Sequence, residues 1–303
     1  MASIDIVPRG PFSLAAAQDF AGGFPAGIGG GGIGDGSITL AFPVEGTEQS
    51  AAIELWQDDD GVVRGRSDAD GELLRRAIVQ AARSLSLDHD GSGWPAVGER
   101  DAVVGRAQRE HAFLRPVCFY SAYEAATSFV IGQRIARRQS AVIKRQLAEE
   151  LGDRPSIAGV EVPAFPRPSR LLELKGARGL NDEKVRRLHG VAQAALDGRL
   201  DTEHLRAIPP EEALASLREL HGVGPFTADA VLYRGCGVAD GLPASDDLGR
   251  TVVRDLYGLP DAGAADVERI AEAWRPFRMW AVVLLRMAWT RAQGGNVSYR
   301  RRC

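Results

Sequence analysis

The residues best placed to do chemistry stand in two short runs, Leu220-His221-Gly222-Val223-Gly224-Pro225-Phe226-Thr227-Ala228 and, further along, Ser245-Asp246-Asp247-Leu248. Before the first run, Pro209 and Pro210 open an apolar-periodic helix with Leu214, Leu217 and Leu220 on one face. After it, Ala228, Val231 and Leu232 repeat at helical spacing until Gly235. The pattern is helix, tight Gly-x-Gly turn, helix. Glycine permits the positive φ of a short turn, and the second helix offers unpaired N–H groups at its start, where an anion binds without any basic side chain. The first run is therefore a candidate phosphate grip, through Gly222, Val223, Gly224 and Thr227. The second brings carboxylates, which stabilise positive charge or activate water.

The wording Leu-x-Gly-Val-Gly-x-x-Thr-Ala, taken with the later aspartate, resembles the helix-hairpin-helix of the base-excision DNA glycosylases. Members that also cleave the backbone carry a lysine just before the Thr-Ala, whose amine forms a Schiff base with the sugar. Phe226 stands there, so the resemblance implies a monofunctional glycosylase. Relatives of AlkA type, the 3-methyladenine DNA glycosylase II enzymes, carry their acidic residue directly before a Leu-Gly pair, as Asp247 precedes Leu248-Gly249. That favours Asp247 over Asp246 as the catalytic residue, with Ser245 or Asp246 capping the helix that starts near Leu248. Breaking an N-glycosidic bond builds positive charge on the sugar, which an ionised carboxylate stabilises while it orients water.

The same resemblance assigns further positions. Ile131-Gly132-Gln133 ends a helix and presents Arg134 as the wedge that fills the gap left by the extruded nucleotide, with Gln133 also facing DNA. The bland alternative for Arg134, Arg137, Arg138, Lys144 and Arg145 is a solvated basic helix face balanced by Glu149 and Glu150. A flipped base must be held between flat or apolar side chains, for which Phe226, Trp280 and Trp289 are candidates; core packing is the alternative for both tryptophans. Aligned through Trp274-Arg275-Pro276-Phe277-Arg278, a pocket tryptophan of the family falls at Arg286 and a pocket tyrosine at Ala230. A guanidinium repels a cationic alkylated base and donates hydrogen bonds to a carbonyl oxygen or ring nitrogen, so the expected preference moves towards neutral damaged bases. A monovalent cation, Na or K, on the backbone carbonyls of Leu220 and Val223 is also implied; catalysis needs no cofactor. The competing function is a non-catalytic binder of damaged DNA on the same fold.

The elements that must position these residues divide the chain. Ser37 to Phe42, Ala52 to Trp56 and Gly61 to Arg64 are strand candidates, followed by a helix from about Glu72 to Leu85. Residues 1-95 thus form an accessory α+β domain with a small antiparallel sheet. From 96 onward the pattern is helical: a capping box at Ser121 to Glu124, a proline loop at Pro163, Pro166 and Pro168, short helices at Leu171 to Leu174 and Lys184 to Leu196, and a last one through Val282 to Trp289. The fold class is α+β, a mostly helical two-lobed glycosylase core after the sheet domain. One lobe takes 96-118 with 240-303, and the other takes 119-239 with the hairpin. Gly27-Ile28-Gly29-Gly30-Gly31-Gly32 matches a dinucleotide fingerprint formally, but lacks the strand before it and helix after it and reads as a loop.

Composition bounds the rest. The 303 residues are 45% hydrophobic and 25% charged with net charge −3, ordinary for a globular protein and unlike one that coats nucleic acid nonspecifically. Cys118, Cys236 and Cys303 are odd in number and widely spaced, against a disulfide framework and against a four-cysteine iron–sulfur cluster. The histidines show no ligand spacing. With no membrane span or signal pattern, the expectation is a cytoplasmic, bacterial-type monomer working on nucleoid DNA, its partner double-stranded DNA containing damaged bases.

Overall fold

The computed structural model describes residues 2–21 and 36–293; the Gly27–Gly32 loop and Cys303 lie outside them. Strand β1 (Ala2–Ile6), helix α1 (Leu14–Ala21), β2 (Ile38–Pro43), β3 (Ser50–Gln57), β4 (Val63–Ser67) and α2 (Gly71–Ser84) come first. The sheet is antiparallel in the order β1-β4-β3-β2. Its β2–β3 pair is buried on both faces. Phe42, Ile53 and Leu55 pack beneath Ala77, Ala81 and Leu85, whereas Ala41 and Ala52 take the other face against Ile157 and Ala164. Three of the strands match the sequence expectation within a few residues, and the edge strand β1 is an addition.

Next come α3 (Trp94–Arg100), α4 (Ala102–Glu110), α5 (Ala122–Gly132), α6 (Arg137–Leu151), a two-residue hairpin pair β5 (Ser156–Ile157) and β6 (Val160–Glu161), and α7 (Pro168–Leu171). Then follow α8 (Asp182–Leu196), α9 (Thr202–Ala207), α10 (Pro210–Arg218) and α11 (Pro225–Ala230), which runs on as a π-turn over Val231–Gly235. The last are α12 (Asp247–Tyr257), α13 (Ala264–Ala271), a 3₁₀ turn (Glu272–Trp274) and α14 (Arg278–Ala292).

The helices bury two further cores. One gathers α5, α6, α8, α10 and α11 around Ala125, Ala126, Leu188, Val191, Leu217 and Val231. The other joins α3 and α4 to α12, α13 and α14 through Trp94, Trp274 and Trp280, so the chain leaves this core after α4 and returns to it at α12. Caps fix the helix starts. Asp101 Oδ1 accepts from the Val103 and Val104 amides at 3.0 and 3.1 Å, and Asn181 Oδ1 accepts from Lys184 at 2.9 Å.

Two expectations from the basic segment change. Ser121 Oγ accepts from the Glu124 amide at 3.0 Å, but the Glu124 carboxylate accepts from the Tyr120 amide rather than from Ser121, so the capping box is only half formed. Glu124 is also buried, bonded to Lys144 Nζ at 3.1 Å, and Lys144 lies 5.5 and 5.8 Å from the Phe119 and Phe165 ring centroids. Lys144 is thus an interior cation, removed from the basic face because its spacing from Glu124 brings α6 onto α5. Among the described residues no helix is long and apolar enough to cross a membrane.

Candidate active site

The hairpin turn joins α10 to α11. Gly222 has φ of +87°, and a Cβ there would meet Arg187 Cδ at 2.6 Å, so both torsion and space demand glycine. Gly224 N-caps α11 in extended conformation, and a Cβ added to it would meet nothing within 4 Å. The turn's backbone is therefore open to solvent at Gly224, as a phosphate grip requires. The Val223 amide, by contrast, donates to the Leu220 carbonyl at 2.9 Å, and Thr227 is buried. Of the four predicted phosphate contacts, Gly224 faces outward, Gly222 is half-buried against Arg187, and Val223 and Thr227 build the turn. A monovalent ion on the Leu220 and Val223 carbonyls would share the Leu220 oxygen with that amide. These neutral donors suit a weakly held cation, and among the described residues no cluster of three or more His, Cys, Asp or Glu could hold another metal.

The turn after α5 stands beside the hairpin. Arg134 is exposed in left-handed conformation, φ +59°, the conformation that lifts a side chain off a helix end. Gln133 instead looks inward. Its Nε2 donates to the Gly222 carbonyl at 2.9 Å, and its Oε1 accepts from Arg187 Nη1 at 2.7 Å. Arg187 Nε and His221 Nε2 both donate to Glu183 Oε1 at 2.9 Å. These partners, His221 foremost and then Arg186 and Arg187, hold the Glu183 carboxyl down at about 2. Gln133 was expected to face DNA; both ends of its amide are engaged in this bridge between the two turns.

The two aspartates take opposite places. Asp247 is 92% exposed and pairs with Arg250 on its own helix. Asp246 is 7% exposed and accepts from Arg286 Nη2. Asp246 thus does not cap as expected, and Asp247 opens α12 with its carboxylate exposed to solvent. Asp246 is the N-cap residue of α12, yet its side chain makes no cap bond and lies over Gly249, where a Cβ would come within 2.8 Å of Oδ2. The preceding loop is pinned from the hairpin side: buried Asp229 accepts from the Ser245 amide at 3.2 Å and from its hydroxyl.

The cation beside Asp246 is Arg286, 31% exposed; Arg234 is buried, donates from Nη2 to the Val117 carbonyl and holds its guanidinium 5.5 Å from the Phe20 ring centroid. Burial pushes Arg234 down to about 10, and the nearby Arg286 charge adds to the fall. Phe20, on α1, packs against all three cores. Sequence reasoning missed Phe20, Asp229 and Arg234; Asp229 and Arg234 sit in the helix after the hairpin, whose polar residues on a buried helix were the available signal.

The predicted base-stacking residues separate. Phe226 is 36% exposed and meets Phe129 edge-on at 5.7 Å. Trp280 is a core residue, not a pocket wall: it is fully buried, 4.6 Å from Phe277 and 5.7 Å from Trp94. Trp289 is half-buried and donates from Nε1 to Asp255 at 2.8 Å. Ala230 is half-buried and brings no ring.

No family model matches the chain. It is 24% identical over 213 residues to a DNA-3-methyladenine glycosylase of Bacillus subtilis, covering 66% of this chain and 68% of that one. It is 26% identical over 189 residues to DNA-3-methyladenine glycosylase 2 of Escherichia coli, covering 60% and 63%. It is 29% identical over 215 residues to a probable bifunctional transcriptional activator/DNA repair enzyme AlkA of Mycobacterium tuberculosis, covering 69% and 42%. The matched region thus spans about two thirds or less of these relatives. The fold is that of the 3-methyladenine DNA-glycosylase of Archaeoglobus fulgidus, with TM-score 0.76 and 19% identity over 96% of this chain and 99% of that one. An 8-oxoguanine glycosylase/lyase of Clostridium acetobutylicum gives 0.68 and 17% over 94% and 95%. With a glycosylase fold and a Gly-x-Gly hairpin tied to an aspartate loop, the chain is similar in sequence to the DNA-3-methyladenine glycosylases, the AlkA-type enzymes among them.

Proposed function

We propose that the chain is a monofunctional DNA glycosylase of base excision repair that binds double-stranded DNA, extrudes a damaged base and hydrolyses its N-glycosidic bond with an aspartate at the start of α12. The observation that carries this is the arrangement of the two runs: the Asp229–Ser245 bonds tie the phosphate-gripping helix directly to the aspartate loop. A nucleotide held by the hairpin backbone therefore has a carboxylate at a fixed offset from its sugar. Of the two candidates, the reading takes Asp247, which directly precedes Leu248-Gly249 and whose carboxylate is accessible to a nucleotide, whereas Asp246 is buried against Arg286.

The base leaves with the electron pair of the glycosidic bond, and positive charge develops on the sugar, where the carboxylate stabilises it. Water then adds to the anomeric carbon and gives up its proton. Arg134 is the wedge, and Phe226, exposed beside the hairpin, is the surface on which a flipped base stacks. Phe226 carries no amine, so no Schiff base forms. The Leu220 and Val223 carbonyls would hold a monovalent cation that helps fix the turn. The setting is that of a cytoplasmic monomer acting on chromosomal DNA.

Single-turnover base release from duplexes carrying single lesions tests the reading. Wild type should release a base, and Asp247→Asn should lose about 100-fold or more in rate. Asp246→Asn, which loosens the buried pair with Arg286, should act mainly on stability. Borohydride should trap no covalent adduct. DNA binding with no release on any lesion would favour a non-catalytic damaged-DNA binder, the second reading that Ala230 and Arg286 raise.

A further inference from the structure

We infer that Arg250 is the positioning residue for the Asp247 carboxylate, holding it against the loop that the hairpin side pins so that it meets the sugar in one orientation. The inference rests on the glycosylase reading and adds to it the group that aims its aspartate.

The first support is where Asp247 stands. It is the first residue of α12, one position past the N-cap, and its side chain is 92% exposed. No wall selects its rotamer there, and a free side chain samples several staggered wells. Its neighbour Asp246 is engaged with Arg286. Among the described residues, Arg250 Nη2 is the one partner of the Asp247 carboxylate.

The second is that Arg250 is itself fixed. An exposed ion pair on one helix usually does little, because both side chains stay mobile. Arg250 is only 26% exposed and lines a cleft with Leu242, Pro243, Val253 and Val267. Its Nη1 donates to the Ala244 carbonyl at 2.6 Å. One planar fork thus joins the loop backbone to the carboxylate. Glu268 lines the same cleft, yet the ion pair goes to Asp247. The residue after Ala244 is Ser245, whose amide and hydroxyl donate to Asp229. A continuous run of bonds therefore leads from the helix after the hairpin, through Ser245 and Ala244, to Asp247.

The guanidinium also opposes positive charge on the sugar. Asp247 and part of Arg250 reach solvent, where charge is screened, whereas misplacing a reacting group by about 1 Å costs up to about 100-fold in rate. Orientation is the larger effect.

The experiment compares duplexes carrying a cationic pyrrolidine in place of the deoxyribose, which mimics the sugar at the transition state, with duplexes carrying neutral tetrahydrofuran, which shares its shape without the charge. Their affinity ratio is measured for wild type, Arg250→Met, Arg250→Lys and Asp247→Asn, beside thermal melts and single-turnover release of 7-methylguanine, hypoxanthine, 8-oxoguanine and 1,N6-ethenoadenine. Wild type should bind the pyrrolidine duplex more tightly, and Asp247→Asn should abolish the difference. Arg250→Met, which keeps the stem in the cleft, should lower both the ratio and the release rate by about tenfold, with tetrahydrofuran affinity and melting temperature unchanged. Arg250→Lys should recover part of each. A higher ratio with faster release in Arg250→Met overturns the inference, because the guanidinium then masks the aspartate. An unchanged ratio overturns it too, whether release is unaltered, falls with the folded fraction, or falls with affinity for both duplexes as loss of a phosphate contact would make it. A wild type that binds both duplexes alike also overturns it. In each of these cases, release that is lost in Asp247→Asn leaves the glycosylase intact. Absence of release on every lesion with DNA still bound overturns the glycosylase reading itself, and this inference with it.

Discussion

Phe226 and Trp280 entered the sequence reading as equal candidates for the base pocket, and they should behave oppositely when removed. Phe226 is exposed, and its ring contact among the described residues is edge-on with Phe129, so Phe226→Ala leaves the core nearly untouched. Stacking on an aromatic is worth about 1–3 kcal/mol per base, and base release should fall about tenfold with an unchanged melting temperature. Trp280→Ala instead empties a site packed by Trp94 and Phe277. A loss of about 3–5 kcal/mol should lower the melting temperature by about 10 °C, and release should drop only as the folded fraction does. The sequence distinguished them partly: Phe226 lay inside a motif whose Pro225 opens a helix at the surface, while a tryptophan on an apolar helix reads the same in a core or a cleft. Asp246 and Asp247 posed a harder case. Adjacent helix positions differ by about 100° of rotation, and only the packing of α12 against α14 decides which carboxylate turns inward.

At the scale of elements, the bridge Gln133–Arg187–Glu183–His221 ties the wedge turn to the hairpin. Extrusion needs the wedge and the phosphate grip at a fixed separation. Arg187→Met removes two bonds of this bridge and should slow release by about tenfold, roughly 1.4 kcal/mol, while binding to undamaged duplex changes little; equal losses in both would place Arg187 on the DNA instead. The Glu183 carboxyl, held at about 2 by its partners, sets the acid limit. A carboxylate lowered on folding adds stability that is present above its ordinary value of 4.5 and disappears as pH falls through the lowered one. The bridge should therefore persist at pH 4 and fail towards pH 2. Hydrogen exchange at the hairpin amides would report this, and Glu183→Gln should flatten the dependence. None of this was legible beforehand, because it joins three segments by side chains with no periodic signature. Strand β1 escaped for a related reason: five residues make a strand only when β4, distant in sequence, supplies their partners. The hairpin, the helix α2 and the three other strands were legible because local spacing alone specifies them.

For the whole molecule, the question is how a chain with 37 basic and 40 acidic residues grips a polyanion. Many surface arginines are matched to carboxylates, as in Arg64 with Asp60, Arg75 with Glu72 and Arg275 with Asp240. Near the wedge, Arg134, Arg137 and Arg138 are exposed, and among the described residues Arg134 and Arg138 have no ion pair. On the proposed reading the hairpin contributes amides, which would bind phosphate without releasing the counterions that a cationic side chain displaces. The slope of log affinity against log salt is about −0.9 for each phosphate that a charge neutralises. Two or three such contacts give a slope of about −2 to −3. Arg138→Ala should make the slope shallower by about one contact without altering release from saturated enzyme. Arg134→Ala should reduce the slope and also slow release, because it removes the wedge. Titrations of both variants across a range of salt, paired with single-turnover rates, separate grip from extrusion. A wild-type slope near −6 would mean that a broad basic surface, and not a Gly-x-Gly turn with a few neighbouring arginines, carries the DNA.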